Sequence, residues 1–240
     1  MILWNDIMSD SITEFADLMN EKYGRCDLHT HTFLSDGELL PAEHIRRAGA
    51  MGMKAIAITD HASFSNMEYI IPQIVRDCEI AEDIIAIPGV ELTHIPPSKI
   101  NEAAVKARKL GAEWIIVHGE TIVEPVKEGT NAAALRSTEV DMLAHPGLMS
   151  EEEAEIAFDN GKYIEISARK GHSLTNGHVA ALAKKHHLSI MINSDAHTSE
   201  DFIDTKMAVK VAMGAGMLRD DVEKAFSNHL SMIKKFRRNH

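Results

Sequence analysis

The sequence predicts an α/β protein in which seven parallel strands close into a (β/α)7 barrel. Three observations carry that expectation. Short β-branched runs, each ending in polar residues, recur about every 20 to 30 residues; helical patterns separate most of them; and no long linker or composition break divides the chain. Residues 1–240 are expected to form one domain, with the chemistry-bearing core over about residues 25–200.

Taken in order, strands are predicted over residues 25–31, 54–59, 84–91, 113–118, 140–145, 163–167 and 188–193. An amphipathic stretch at 39–51 follows the first strand, and helical patterns at 101–110, 151–160 and 177–185 separate later ones. Residues 207–236 read as a helical tail packed across the outside or the bottom of the barrel. A doubly wound open sheet is the alternative, but no glycine-rich dinucleotide fingerprint or phosphate-binding loop supports it.

Composition limits the function. Apolar residues make up 45% of the chain and aromatic residues only 5%, so the core rests on aliphatic side chains and methionine. The formal charge of −11 argues against a broad basic surface for nucleic acid or anionic membrane. Cys26 and Cys78 show no disulfide spacing and read as buried thiols in a reducing compartment. Residues 1–24 carry Asp6, Asp10, Glu14, Asp17 and Glu21 without a basic start or a long apolar run. A cytoplasmic protein without a membrane partner is expected.

The fourteen histidines are informative through their placement. Barrel chemistry gathers at the C-terminal ends of the strands, and six of the seven predicted strand ends carry His, Asp or Glu. The first runs through Asp27, His29 and His31, with Asp36 five residues later. The second ends in Asp60-His61, the third in Glu91, the fourth in His118 with Glu120 beyond, and the fifth in His145. The seventh ends in Asp195-Ala196-His197. Side chains at i and i+2 of an extended segment share a face, so His29 and His31 project together, as do Asp195 and His197 if their strand continues. Such convergence points to metal binding. By contrast, His44, His178, His186, His187 and His229 fall in helical patterns and are expected at the surface.

This pattern resembles the PHP family, named for its polymerase and histidinol phosphatase members, over about residues 26–197. His29, His31 and Asp36 match its H-x-H-plus-acid motif, Thr59-Asp60-His61 its T-D-H motif, and Glu91, His118 and His145 its next ligands. Asp195 and His197 match its closing D-x-H. The resemblance implies a distorted seven-stranded, TIM-like barrel carrying three divalent ions. It further implies one ion on His29, His31, Glu91 and Asp195, and a second on Glu91, His118 and His145. Asp36, His61 and His197 would hold the third. Amidohydrolases also use H-x-H on a barrel, but they typically place a modified lysine where this chain has His118.

Mixed imidazole and carboxylate ligation suits Zn, Mn or Fe. Three carboxylates facing three divalent ions leave about +3, and one hydroxide lowers this to about +2, complementary to a phosphate monoester dianion. The expected reaction is hydrolysis of a small-molecule phosphate monoester by a metal-bound hydroxide, with histidinol phosphate the named candidate. Glu91, Asp195 and Arg169 are expected to be catalytic. Arg169, Lys170, His172 and His94 are expected to meet substrate, Arg169 by forking onto phosphate oxygens. Asp27, Asp60 and Glu120 are expected to support the ligands, the two aspartates as acceptors for metal-bound imidazoles, although Asp60 also suits a helix cap. The alternatives are a nucleotide phosphodiesterase or 3′–5′ exonuclease and a metal-binding scaffold without catalysis.

Overall fold

The computed structural model describes residues 4–236. It opens with helix α1 (Trp4–Lys22) and then alternates strand and helix through β1 (Cys26–Asp27), α2 (Pro41–Ala50), β2 (Ala55–Ile58), β3 (His61–Ala62), α3 (Met67–Glu79), β4 (Ile85–Leu92), α4 (Ile100–Lys109) and β5 (Trp114–His118). It continues through α5 (Thr130–Arg136), β6 (Met142–Ala144), α6 (Glu151–Asp159), β7 (Tyr163–Ser167), α7 (Asn176–His186), β8 (Ser189–Asn193), α8 (Thr205–Gly214) and α9 (Arg219–Phe236).

Every strand pair is parallel, in the order β1-β2-β4-β5-β6-β7-β8. β3 resumes the path of β2 after a break at Thr59 and Asp60 and pairs with the end of β4. Among the described residues the strands therefore fill seven positions, as predicted. β1 and β8 meet beyond their regular ends: Thr30 bridges Ala196, the Asp195 N–H donates to His29 O at 3.0 Å, and the His31 N–H donates to Ala196 O at 2.8 Å. These bonds bring the barrel close to closure.

The first strand is shorter than the predicted 25–31, because side chains take over its ladder. Asn193 Oδ1 accepts the Leu28 N–H, Thr59 Oγ1 accepts the Thr30 N–H, and the Thr30 hydroxyl donates to Ala57 O. Backbone groups are satisfied without regular pairing, and residues 28–31 are free to bend toward the barrel axis. The predicted tail is two helices, interrupted where Gly216 takes a left-handed φ of 89°. Helix α1, not predicted, packs along α8, with Phe15, Ala16 and Met19 in the main core.

The strands separate two apolar regions. Ile115, Val117, Ile164 and Ile166 point outward into the helices, whereas Leu28, Ala57, Ile87, Trp114, Met142 and Met191 fill the barrel interior. Trp114 spans that interior and donates from Nε1 to Leu28 O at 2.9 Å. Helix α9 crosses the bottom, adding Met232 and Phe236 to the same cluster. With the lower half largely filled by hydrocarbon, the polar inward-facing side chains of the strands gather toward the C-terminal mouth. Among the described residues, no helix is long and apolar enough to cross a membrane.

Two histidines depart from the expected surface location. His229 is buried under the barrel, with its ring nitrogens 3.0 Å from Ala225 O and 3.1 Å from Asn193 Oδ1. His44 has no exposed surface and packs on Phe202 at 4.6 Å between ring centroids. A polar ring on the inward side of an amphipathic helix does not show in the helical period. His178 and His187 are exposed, and His186 is half-buried beside Glu151. His240 and residues 1–3 of the predicted single domain lie outside the described residues.

Burial lowers the His44 pKa to about 4, and the charge of His197 adds to the shift. The folded state therefore resists protonation that the unfolded chain accepts near pH 6.5. The stability tied to this neutral ring is present above pH 6.5 and is lost as pH falls toward 4, by about 1.4 kcal/mol per unit. Urea midpoints measured from pH 7 to 4.5 should drop more steeply for the wild type than for His44→Leu. Parallel curves would show that His44 is not held neutral.

Candidate metal centre

The inward-facing ends of the strands bring their ligand-type side chains to one place. His29 and His31, in the irregular extension of β1, are wholly buried, with their Nε2 atoms 3.0 Å apart. Glu91 comes from the end of β4, in register with His61 of β3. Gly89 allows this strand to approach closely, since a Cβ there would lie 2.8 Å from Thr59 Cγ2 and 2.9 Å from Trp114 O. His118 ends β5, and His145 follows β6. Asp195 and His197 follow β8.

Two of these positions hold uncommon backbone conformations. His145 has φ 23° and Asp195 φ 56°, in or near the left-handed region that few non-glycine residues adopt. Neighbouring bonds hold them there: the His145 N–H donates to Glu165 Oε2 at 3.0 Å and the Asp195 N–H to His29 O. Strain of this kind persists only where surrounding structure imposes it, and it gathers at functional sites.

Glu91 is the centre of the arrangement and provides the test of fit. It has no exposed surface, and neither carboxylate oxygen has a donor aligned as a hydrogen bond. Yet His61 Nδ1 lies 2.8 Å from Oε2, His29 and His31 Nε2 each lie 3.5 Å from Oε2, and His145 Nε2 lies 3.3 Å from Oε1. Asp195 Oδ1 stands 3.7 Å from His29 Nε2 and 3.3 Å from His31 Nε2. Lone pairs converging without hydrogen-bond alignment suit a shared cation, because a buried charge requires compensation. Ligand atoms within 4.8 Å of one another group as His29, His31 and Glu91; as His31, Asp36, His61 and His197; and as His118, His145 and His172. These groups could hold metal ions.

The electrostatics agree with that geometry. Burial opposes charge on His29, but Glu165, Asp195 and Glu91 together raise its pKa well above the ordinary value. Burial is likewise outweighed at His61, where Glu91 leads a shift up to about 9. His31 goes the other way, down to about 3, through burial and the nearby charge of His61. Glu91 and Asp195 resist burial and stay well below the carboxylate range, His29 being the largest opposing influence on each.

The remaining expected residues divide. Arg169, half-buried, donates to Asp195 O at 3.2 Å and has its Nε 3.9 Å from Asp195 Oδ2, so it borders the cluster. Lys170 and His94 are exposed; His94 stacks on His118 with ring centroids 5.7 Å apart, at the mouth. His172 is buried inside the cluster, its ring centroid 3.9 Å from that of His145.

The supporting aspartates do not meet the ligand imidazoles as expected. Asp60 accepts from Thr32 N–H at 2.8 Å, Thr32 hydroxyl at 2.7 Å and Ser35 hydroxyl at 2.7 Å, and so ties down the loop that carries Asp36. Asp27 pairs with buried Arg25 at 2.8 Å and accepts the Ser194 N–H at 3.1 Å, next to Asp195. Both brace ligand-bearing backbone rather than rings. Glu120 accepts the Asn131 N–H at 2.9 Å near the start of α5.

The acceptor for a ring is Glu165, which sequence reasoning missed: it is wholly buried on β7, 2.8 Å from His29 Nδ1. Its signal was a carboxylate in the alternation of Tyr163–Ser167, where Ile164 and Ile166 face outward and Glu165 inward. Glu124 was missed as well. It lies in the loop between β5 and α5, 3.0 Å from His118 Nε2 and 3.1 Å from His172 Nε2, and no periodic pattern marks it.

A divalent ion taken up by His29 and His61 would displace the protons that neighbouring carboxylates favour on those rings. Because the His61 pKa is raised to about 9, affinity for Mn2+ or Zn2+ should keep rising from pH 6 to pH 9, with proton release on binding. Calorimetry in buffers of different ionisation enthalpy reads both. An affinity that levels off by pH 7 would count against this charge distribution.

Comparison with known proteins follows the same lines. A PHP domain model matches residues 27–194. An uncharacterized protein of Methanocaldococcus jannaschii is 49% identical over 88% of this chain and 99% of its own length. A protein named "Probable phosphatase" from Thermoanaerobacter sp. is 29% identical over 81% of this chain and 87% of its own. "Ribonuclease P protein component 3" of Methanosarcina acetivorans is 26% identical, covering 80% of this chain and 81% of its own.

Proposed function

The chain belongs to the PHP family, and from that premise we propose that it hydrolyses phosphate monoesters of small molecules with three divalent ions of Zn, Mn or Fe. The observation that carries this reading is Glu91, a buried carboxylate with ring nitrogens close to both oxygens. Glu91 would serve two ions, one with His29, His31 and Asp195 and the other with His118 and His145, and Asp36, His61 and His197 would hold the third.

When bound, such ions acidify water and neutralise charge on phosphate and leaving oxygen. The residues of the chain supply position. Glu165 accepts from His29 Nδ1 and so turns its Nε2 toward the cluster. Arg169, beside Asp195 and part-exposed, binds phosphate oxygens bidentately, and His94 and Lys170 flank the entrance. A histidinol-type phosphate is the first substrate to try.

Relatives named as a ribonuclease P component raise a phosphodiester reading, in which the substrate is a nucleic acid or nucleotide. The formal charge of −11 and the scarcity of aromatic residues favour the small substrate. Phosphate release from a panel of metabolite monoesters, run beside oligonucleotides and with metal-reconstituted chain, decides between them. Elemental analysis of that preparation should find close to three ions per chain, and one or fewer would sink the three-ion reading.

Glu91→Gln should reduce kcat by at least about a hundredfold and cost metal, whereas Glu120→Gln should do neither to that extent, since the Glu120 carboxylate accepts the Asn131 N–H near α5. Equal activity of Glu91→Gln and wild type would remove Glu91 from the site. Arg169→Ala should lower kcat/KM by roughly ten- to a thousandfold, about 1.4 to 4 kcal/mol of transition-state stabilisation. Its metal content should stay that of the wild type. Loss of metal together with rate would make Arg169 a structural residue.

A further inference from the structure

His172 and Glu124 stand outside the nine residues to which the proposed function assigns metal, yet they are built into the same cluster. His118 Nδ1 lies 3.2 Å from Gly119 O, and His172 Nδ1 lies 2.9 Å from Asp195 Oδ2. These acceptors fix the orientation of each ring and leave Nε2 as the nitrogen from which a divalent ion would displace a proton. This is the arrangement in which metal-bound histidines are held from behind.

Both Nε2 atoms point to one carboxylate. His118 Nε2 is 3.0 Å from Glu124 Oε2, and His172 Nε2 is 3.1 Å from Glu124 Oε1. The rings are 2% and 6% exposed, whereas the Glu124 side chain is 40% exposed, reaching down from the loop between β5 and α5. Ligand atoms of His118, His145 and His172 lie within 4.8 Å of one another. Glu124 lies outside that grouping but within 3.1 Å of two of its rings, so three imidazoles with an adjoining carboxylate supply donors of the types that Zn, Mn or Fe take.

We infer that His172 and Glu124 are metal ligands, joining His118 and His145 at the second ion, and that Glu124 fastens the loop between β5 and α5 over the site when that ion is bound. This rests on the metal-dependent reading above. It assigns His172 to the metal rather than to substrate, and it makes loop closure depend on metal loading.

The test uses the full chain loaded with Mn2+ or Zn2+, dialysed against graded chelator and counted by elemental analysis. His172→Gln should surrender one ion at a chelator concentration about 10- to 100-fold lower than the wild type. Glu124→Gln should shift in the same direction, and exposed His178→Gln should match the wild type. His172→Asn carries the same reading should the glutamine variant fail to fold. Hydrogen exchange of residues 119–129 in the wild type should slow on Mn2+ loading, and Glu124→Gln should lose that slowing. Metal retention by the His172 variants equal to wild type would overturn the inference, as would unchanged exchange in that loop. A wild-type chain that retains no metal would instead overturn the functional reading.

Discussion

A carboxylate with no exposed surface and no aligned donor is unfavourable unless positive charge is held around it. Glu91 meets that condition through His29, beyond β1, and His61, on β3, whose rings are held toward the charged form, while His31 and His145, beyond β6, are pushed toward neutral rings beside it. Much of the local structure at the mouth follows from this requirement. The left-handed turns at His145 and Asp195 aim side chains inward, and Gly89 lets β4 approach its neighbours closely enough to present Glu91. The same concentration of ring nitrogens and carboxylates, around a Glu91 without an aligned donor, makes the cluster suited to divalent cations.

The barrel divides its interior between two kinds of packing. Its lower half is hydrocarbon, crossed by Trp114 and closed by Met232 and Phe236 of α9. Above lies a layer of buried polar bonds. Asn193 Oδ1 accepts from Leu28, Asn193 Nδ2 donates to Glu165 Oε1 at 3.0 Å, and that oxygen also meets His29 Nδ1. His229 reaches the same asparagine from α9. A terminal helix that looks remote from the site is thus joined to a candidate ligand through two buried side chains, and such a network rigidifies a site only when its members are satisfied.

Not every buried acid has the same task. Glu165 orients a ring, Asp60 and Asp27 hold the loops that carry Asp36 and Asp195, and Arg25 neutralises Asp27. The aspartates adjoin candidate ligands in sequence, which suggested contact with the rings. Apart from Arg25, two residues before Asp27, their partners are backbone N–H groups and hydroxyls of chain segments far away in sequence. Precision in a metal site needs both kinds of support, because a ligand ring is only as well placed as its backbone.

The sequence by itself determined the strand-and-helix alternation, seven strand positions, the PHP motifs and the convergence of His29, His31, His61, Glu91, His118, His145, Asp195 and His197 at one rim. Those are consequences of local period and of the rule that parallel barrels gather their strand ends, so a single chain reading suffices. Tertiary structure decided the rest. The irregular course after β1 depends on Thr59 and Asn193 side chains replacing ladder bonds. The burial of His44 and His229 depends on what their helices pack against, and the positions of His172 and Glu124 depend on two loops meeting above β5 and β7. Each is a relation between segments distant in the chain, and no period within one segment encodes which partner a side chain will face.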